Sequence, residues 1–155
     1  EVHIVGDGPL LDYYKHEYED IKNLYFIGEV DKRDVAEVMS SFDALYFSAF
    51  KSKVWDFGQS LNKLVDYMLS GKPILASYSG FQSMINEAEC GWFLEAEDSD
   101  GLVEKIMEIS KVERKELAGM GSKGRSWILS NRKYSVLASS YKNYLCAIDD
   151  IQSRV

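Results

Sequence analysis

The chain has 155 residues, 46% of them hydrophobic and 28% charged, a length and balance that predict one globular domain with a single core. Its formal net charge is −7 and its 18 Lys and Arg are scattered, which argues against a nucleic-acid partner or an anionic-membrane surface. A single anionic ligand at one local site stays compatible with that charge. Short β-rich runs then alternate with amphipathic stretches. Strands are predicted at VHIVG (2 to 6), NLYFIG (23 to 28), ALYFS (44 to 48), PILAS (73 to 77) and GWFLE (91 to 95). Helices are predicted near 9 to 21, 31 to 42, 60 to 70, 80 to 88 and 99 to 110. Helical crossovers between successive strands imply parallel pairing and a doubly wound α/β sheet, in which ligands collect at the carboxyl ends of the strands. Beyond residue 110 the strands stop, and 112 to 129 and 133 to 151 read as two helices. The second carries Tyr134, Leu137, Tyr141, Tyr144, Leu145 and Ile148 at helical spacing.

Cys90 and Cys146 are far apart in sequence, and His3 and His16 are the only histidines, so neither a zinc site nor a disulfide framework is indicated. No metal ion or cofactor is expected, and a reducing, cytoplasmic setting fits. There is no run of about 18 apolar residues and no signal peptide. The chain opens on EVHIV without an initiator Met, so it reads as a piece of a longer protein.

Three strand-to-helix passages draw the search for a site. VGDGPL offers glycines after a strand and a Pro at the helix start, which suits either a plain tight turn or exposed N–H groups facing a phosphate or sugar. In FIGEVD, Gly28 either ends a strand or lets a ligand approach the backbone of Glu29 and Val30. The third passage is WDFGQSLNKLVDYMLSGKPILAS, residues 55 to 77. With Ser60 as N-cap, Leu61, Leu64, Val65, Met68 and Leu69 share one flank, and Gln59, Asn62, Lys63 and Asp66 the other. A first-turn lysine opposes the helix dipole and costs a few tenths of a kcal/mol. A bound phosphate reverses that sign, because N–H groups, dipole and ammonium then act on one negative group. The plain alternative is a solvated lysine.

The sequence VGDGPL, NLYFIGEV, FDALYFSAF, SLNKLVDYMLSGKPILAS and ECGWFLEAED resembles, in that order, the carboxyl-terminal, donor-binding domain of retaining GT-B glycosyltransferases of the family-4 (group 1) type. The resemblance covers almost the whole chain and is most specific at SLNKLVDYMLSGKP. It implies a Rossmann-like doubly wound sheet that lacks its first strand and ends in two helices. It also implies one nucleotide-sugar-binding domain over 1–155, a fragment of a larger two-domain protein. The function implied is transfer of a sugar from a nucleotide diphosphate sugar, with a uridine donor expected. The acceptor, a glycan or lipid-linked saccharide, would be held by an amino-terminal domain, and the fragment alone would be inactive. Carried over residue by residue, Asp66 stands at the ribose hydroxyls. Lys63 with Ser60, Leu61 and Asn62 stands at the diphosphate, Glu29 and Val30 at the base, and Gly8 in the first glycine turn of the donor site. The first acid of the family's E-x7-E pattern has no counterpart, since Gly58 stands eight positions before Asp66 and Asp56 is the nearest acid. No catalytic residue is therefore assigned. Polysaccharide biosynthesis in the cytoplasm, or peripherally at the inner face of the membrane through regions outside this chain, completes that reading.

Two other classes stay open: a non-catalytic nucleotide-sugar-binding domain, and a nucleotide-sugar epimerase of like architecture. Asp56-Phe57-Gly58 spells a kinase motif without the rest of a kinase's signature. Asp98-Ser99-Asp100 spells a metal-binding DxD, but acids at that place are expected to cap the helix from 99. Trp55 and Phe57 either stack on a ligand or pack under a loop. Because the missing first strand is central in a doubly wound order and unpaired ladders are costly, a gap filled by rearrangement or by another copy of the chain is expected. The resemblance also implies incomplete cover for the 133 to 151 stripe, since the family's last helix crosses to the other domain.

Overall fold

The computed structural model describes residues 1–58, 61–81 and 83–152, with side chains through Ile148. In chain order it holds β1 (Val2–Val5), α1 (Leu11–Glu17), β2 (Leu24–Gly28), α2 (Val35–Ser40), β3 (Leu45–Ser48), a 3₁₀ turn at Lys53–Phe57 and α3 (Asn62–Ser70). There follow β4 (Ile74–Ser77), α4 (Met84–Ala88), β5 (Gly91–Leu94), α5 (Ser99–Ile109), α6 (Arg114–Asn131) and α7 (Tyr134–Gln152). All five expected strands are present, and every pairing is parallel. They form two sheets, β1-β2 and β3-β4-β5. The chain divides into two compact units, Glu1–Val38 and Met39–Val155.

In the first unit Val2 pairs with Leu24 and Ile4 with Phe26, and the register shifts between Ile4 and Val5. Helix α1 buries none of its residues. Tyr14 stacks on Tyr18 with centroids 6.1 Å apart, and His3 stacks on Tyr25 at 4.8 Å. The helices on either side of β2 are shorter than expected. Before α2, the Asp31 carbonyl accepts from the Asp34 N–H (2.8 Å) and its carboxylate from the Arg33 N–H (3.1 Å), which holds the chain in a turn through Asp34.

The second unit is built on β4, whose four residues are all buried. A strand buried on both faces reads as a continuous apolar run, as PILAS does. The core joins Phe47 of β3, Ile74 and Ala76 of β4, Leu64 and Met68 of α3, Ile85 and Ala88 of α4, Cys90, and Ile128 of α6. Full burial of Leu64 and Met68 is worth about 1.5–3 kcal/mol each. Helix α6 reaches this core through Leu117, Gly121, Gly124 and Ile128, a helical stripe with two glycines at its centre. They allow backbone contact: a Cβ at Gly121 would lie 1.8 Å from the Gly71 carbonyl oxygen, and one at Gly124 2.9 Å from Cys90 Cβ. Ser83 and Asn86 form a capping box on α4, which begins at Met84 and not near 80. On α7 the expected stripe is uncovered, with Tyr134 92% and Tyr144 75% exposed.

Candidate functional site

The candidate residues fall in both units: Gly8, Glu29 and Val30 in the first, and Leu61, Asn62, Lys63 and Asp66 in the second. Ser60, and Gln59 before it, lie outside the described residues.

In the first unit the turns after β1 and β2 are tied together, because the Gly6 N–H donates to the Gly28 carbonyl at 2.7 Å. Gly28 has φ +83°, a conformation that glycine adopts without strain, and a Cβ at Gly6, Gly8 or Gly28 would meet nothing within 4 Å. The backbone at these turns is thus open on one side. The Gly8 N–H donates to Asp7 Oδ1 at 2.7 Å, so an anion at Gly8 has to compete with that carboxylate. Glu29 is exposed and Val30 half-buried directly after Gly28.

In the second unit α3 starts at Asn62, with Leu61 as its N-cap in an extended conformation and no side-chain cap hydrogen bond. The start is therefore one residue later than a Ser60 cap predicts. There is no acidic residue in the first turn. The positive end of the helix dipole thus carries Lys63 and no compensating carboxylate. Asn62, Lys63 and Asp66 are all exposed, and among the described residues Lys63 has no ion-pair or hydrogen-bond partner. Asp66 follows Asn62 by four residues and Lys63 by three, so the three polar groups share one face. The opposite face anchors the helix through Leu64 and Met68, both 0% exposed, while Val65 and Leu69 lie at its edge and are partly exposed. At the far end Gly71, at φ +72°, caps α3, and its N–H donates to the Met68 carbonyl at 3.1 Å. Burial raises the pKa of Tyr67, whose hydroxyl donates to the Tyr46 carbonyl at 3.4 Å.

The loop leading into α3 is held by a contact that the sequence does not announce. Trp55 donates its indole N–H to the Phe50 carbonyl at 3.0 Å and meets Tyr78 edge to face at 6.0 Å. Trp55 therefore packs within the loop structure, while Phe57 is 91% exposed. Tyr78, directly after β4, donates its hydroxyl toward the carbonyls of Trp55 and Phe81, each at 3.0 Å. The only sequence signal is an aromatic residue at the end of a buried strand.

At the carboxyl ends of β3 and β4 a cavity of about 230 Å³ is lined by Tyr46, Ser48, Phe50, Ser77, Glu97 and Asp98, among others. Its acids hold backbone. Glu97 accepts from the Lys51 N–H at 3.3 Å, and Asp98 caps α5 by accepting from the Gly101 N–H at 2.9 Å. Asp98 thus has the capping role read from the sequence. Burial pushes the Cys90 thiol up to about 11, so at neutral pH it is a protonated core group. No helix among the described residues is long and apolar enough to cross a membrane.

The sequence profile of the family described as "Glycosyl transferases group 1" matches residues 1–111. The chain belongs to the group 1 glycosyltransferases. Among solved structures it is similar to TarM, with a TM-score of 0.69 and 21% identity over 90% of this chain. It is also similar to Anabaena Alr3699/HepE, with a TM-score of 0.61 and 18% identity over 99% of this chain, in crystals of HepE with UDP and glucose and with UDP-glucose. These likenesses establish the fold, that of the GT-B glycosyltransferases. The chain spans 28% of TarM and 40% of HepE. Among curated proteins the sequence has no match.

Proposed function

We propose that this group 1 chain is the donor-binding domain of a larger two-domain enzyme, a retaining glycosyltransferase that moves a sugar from a UDP-linked donor to a glycan or lipid-linked acceptor. The observation that carries the proposal is the start of α3: a positive helix end that Leu61 cannot cap, no first-turn acid, and a Lys63 without a partner among the described residues, one turn before Asp66. An anion there gains from the dipole, the N–H groups of the first turn and the ammonium together. In this reading Lys63 with Ser60, Leu61 and Asn62 holds the diphosphate, and Asp66 accepts from the ribose hydroxyls. Glu29 and Val30, beside the open backbone at Gly28, take the base, and Gly8 lines the first turn of the site. Lys63 also offsets the negative charge that builds on the leaving diphosphate as the glycosidic bond breaks. The crystals of HepE with UDP and UDP-glucose support the choice of base.

A second reading, a domain that binds the donor without catalysis, is favoured by Gly58. It occupies the place of the family's first acid and has φ +105°, which a side-chain-bearing residue rarely adopts. Assay of the full-length protein with UDP-glucose and other UDP-sugars separates the two. UDP release that depends on a saccharide acceptor, with the anomeric configuration of the product retained by NMR, supports transfer. Saturable UDP binding without release supports the second reading.

A further inference from the structure

Three donors converge on one backbone oxygen, the carbonyl of Trp55: the Phe81 N–H at 2.9 Å, the Gly58 N–H at 3.3 Å and the Tyr78 hydroxyl at 3.0 Å. The Tyr78 hydroxyl has a single proton and shares it with the Phe81 carbonyl, also at 3.0 Å. Tyr78 is only 5% exposed, so these bonds form away from bulk water, where leaving a polar group unpaired is costly. The fit is close on the other side as well. A Cβ at Gly80 would stand 2.6 Å from the Trp55 oxygen and 2.7 Å from the Tyr78 hydroxyl, so only glycine lets the two loops approach this far. The Trp55 indole, bonded to the Phe50 carbonyl, ties the start of the same loop to its middle. Three backbone stretches, at Phe50, at Trp55–Gly58 and at Phe81, are thereby fixed to one another, and Gly58 lies four residues before Asn62, where α3 begins.

We infer that Tyr78 is a positioning residue for the donor site: through the Trp55 carbonyl it fixes the loop that delivers Lys63 and the helix start to the diphosphate. The inference rests on the function proposed above and adds a residue that makes no contact with the donor itself. Geometry gives it a defined signature. A loosened loop lets the helix start fray, which weakens contacts to phosphate. The Asp66 position, a turn further along and anchored by Leu64 and Met68, is left in place.

The test is Tyr78→Phe in the full-length protein, which removes the hydroxyl and keeps the ring in the core. Trp55→Phe, which cuts the bond to Phe50, serves as a second variant should the first fold poorly. UDP, UDP-glucose and uridine are titrated well below the unfolding temperature, and amide hydrogen exchange is followed in parallel. The expected result is a loss of UDP affinity of about 2- to 10-fold, the size of one net hydrogen bond, with KM for UDP-glucose raised in step and uridine binding unchanged. Faster exchange over 54–58, with β4 and β5 unaffected, accompanies it. A purely structural tyrosine lowers the melting temperature and leaves UDP affinity and local exchange as in the wild type, and that outcome overturns the inference while Lys63-dependent UDP binding leaves the proposed function standing. Wild-type protein that does not bind UDP overturns both.

Discussion

Gly121→Ala tests the packing that seats α3, the helix of the proposed donor site. The added Cβ would lie 1.8 Å from the Gly71 carbonyl oxygen and 2.4 Å from its carbon, both of them backbone atoms that cannot rotate aside. Helix α6 therefore has to draw away from the turn that caps α3. Overpacking of this kind costs about 1–3 kcal/mol, and the better helix propensity of alanine returns about 1 kcal/mol. The net expectation is a loss of up to about 2 kcal/mol. Gly119 lies two residues earlier on the same helix and is exposed, and a Cβ there would meet nothing within 4 Å. Gly119→Ala carries the propensity gain alone and is expected to stabilise by about 0.5–1 kcal/mol. Urea unfolding followed by far-UV circular dichroism measures both variants against wild type. Opposite signs are the predicted result. Equal shifts at the two positions would refute the close approach of α6 to Gly71.

Two further outcomes are expected. Asp98→Ala removes the cap of α5 and costs about 0.5–2 kcal/mol in the same unfolding experiment, and a metal ion in the assay makes no difference to this loss if the role is capping. Cys90 makes stability fall at alkaline pH: below 9.0 the thiol is protonated folded and unfolded, but between 9.0 and about 11 only the unfolded chain ionises. Stability present below pH 9.0 is then lost as pH rises toward 11, by up to about 2 kcal/mol. Melting curves at pH 8 and pH 10.5 for wild type and Cys90→Ala check this, and the variant should show the smaller drop.

The strands are legible in the sequence because each is a run of β-branched, aliphatic or aromatic residues, several of them closed by Gly or Ser, and the observed ends lie within a residue of the expected ones. The two C-terminal helices are legible for the corresponding reason, a long apolar period. Shorter helices read too long where side chains hold the backbone in turns. Asp31 does this before α2 and Ser83 before α4, and such local bonds leave little trace in a hydrophobic pattern. The polar face of α3 is visible from spacing alone, since Asn62, Lys63 and Asp66 fall opposite Leu64 and Met68. Its start is not, because a serine in the right place suggests a cap and the helix begins after Leu61. The link between Tyr78 and Trp55 spans 23 residues and depends on a glycine two positions on, so no local pattern contains it. Asp98-Ser99-Asp100 spells a metal-binding pattern in the sequence, and the structure shows Asp98 in the capping role expected there, accepting from the Gly101 N–H.

The most direct test of the donor-site assignment is calorimetric titration of UDP and uridine into wild-type, Lys63→Ala and Asp66→Asn forms of the full-length protein at low salt. Lys63→Ala should lose about 1.5–3 kcal/mol of UDP affinity, the range for a hydrogen bond to a charged group, and bind uridine as wild type does. Asp66→Asn should weaken both ligands alike, because it acts on the ribose. UDP affinity unchanged in Lys63→Ala would make that lysine a solvated surface residue and contradict the account.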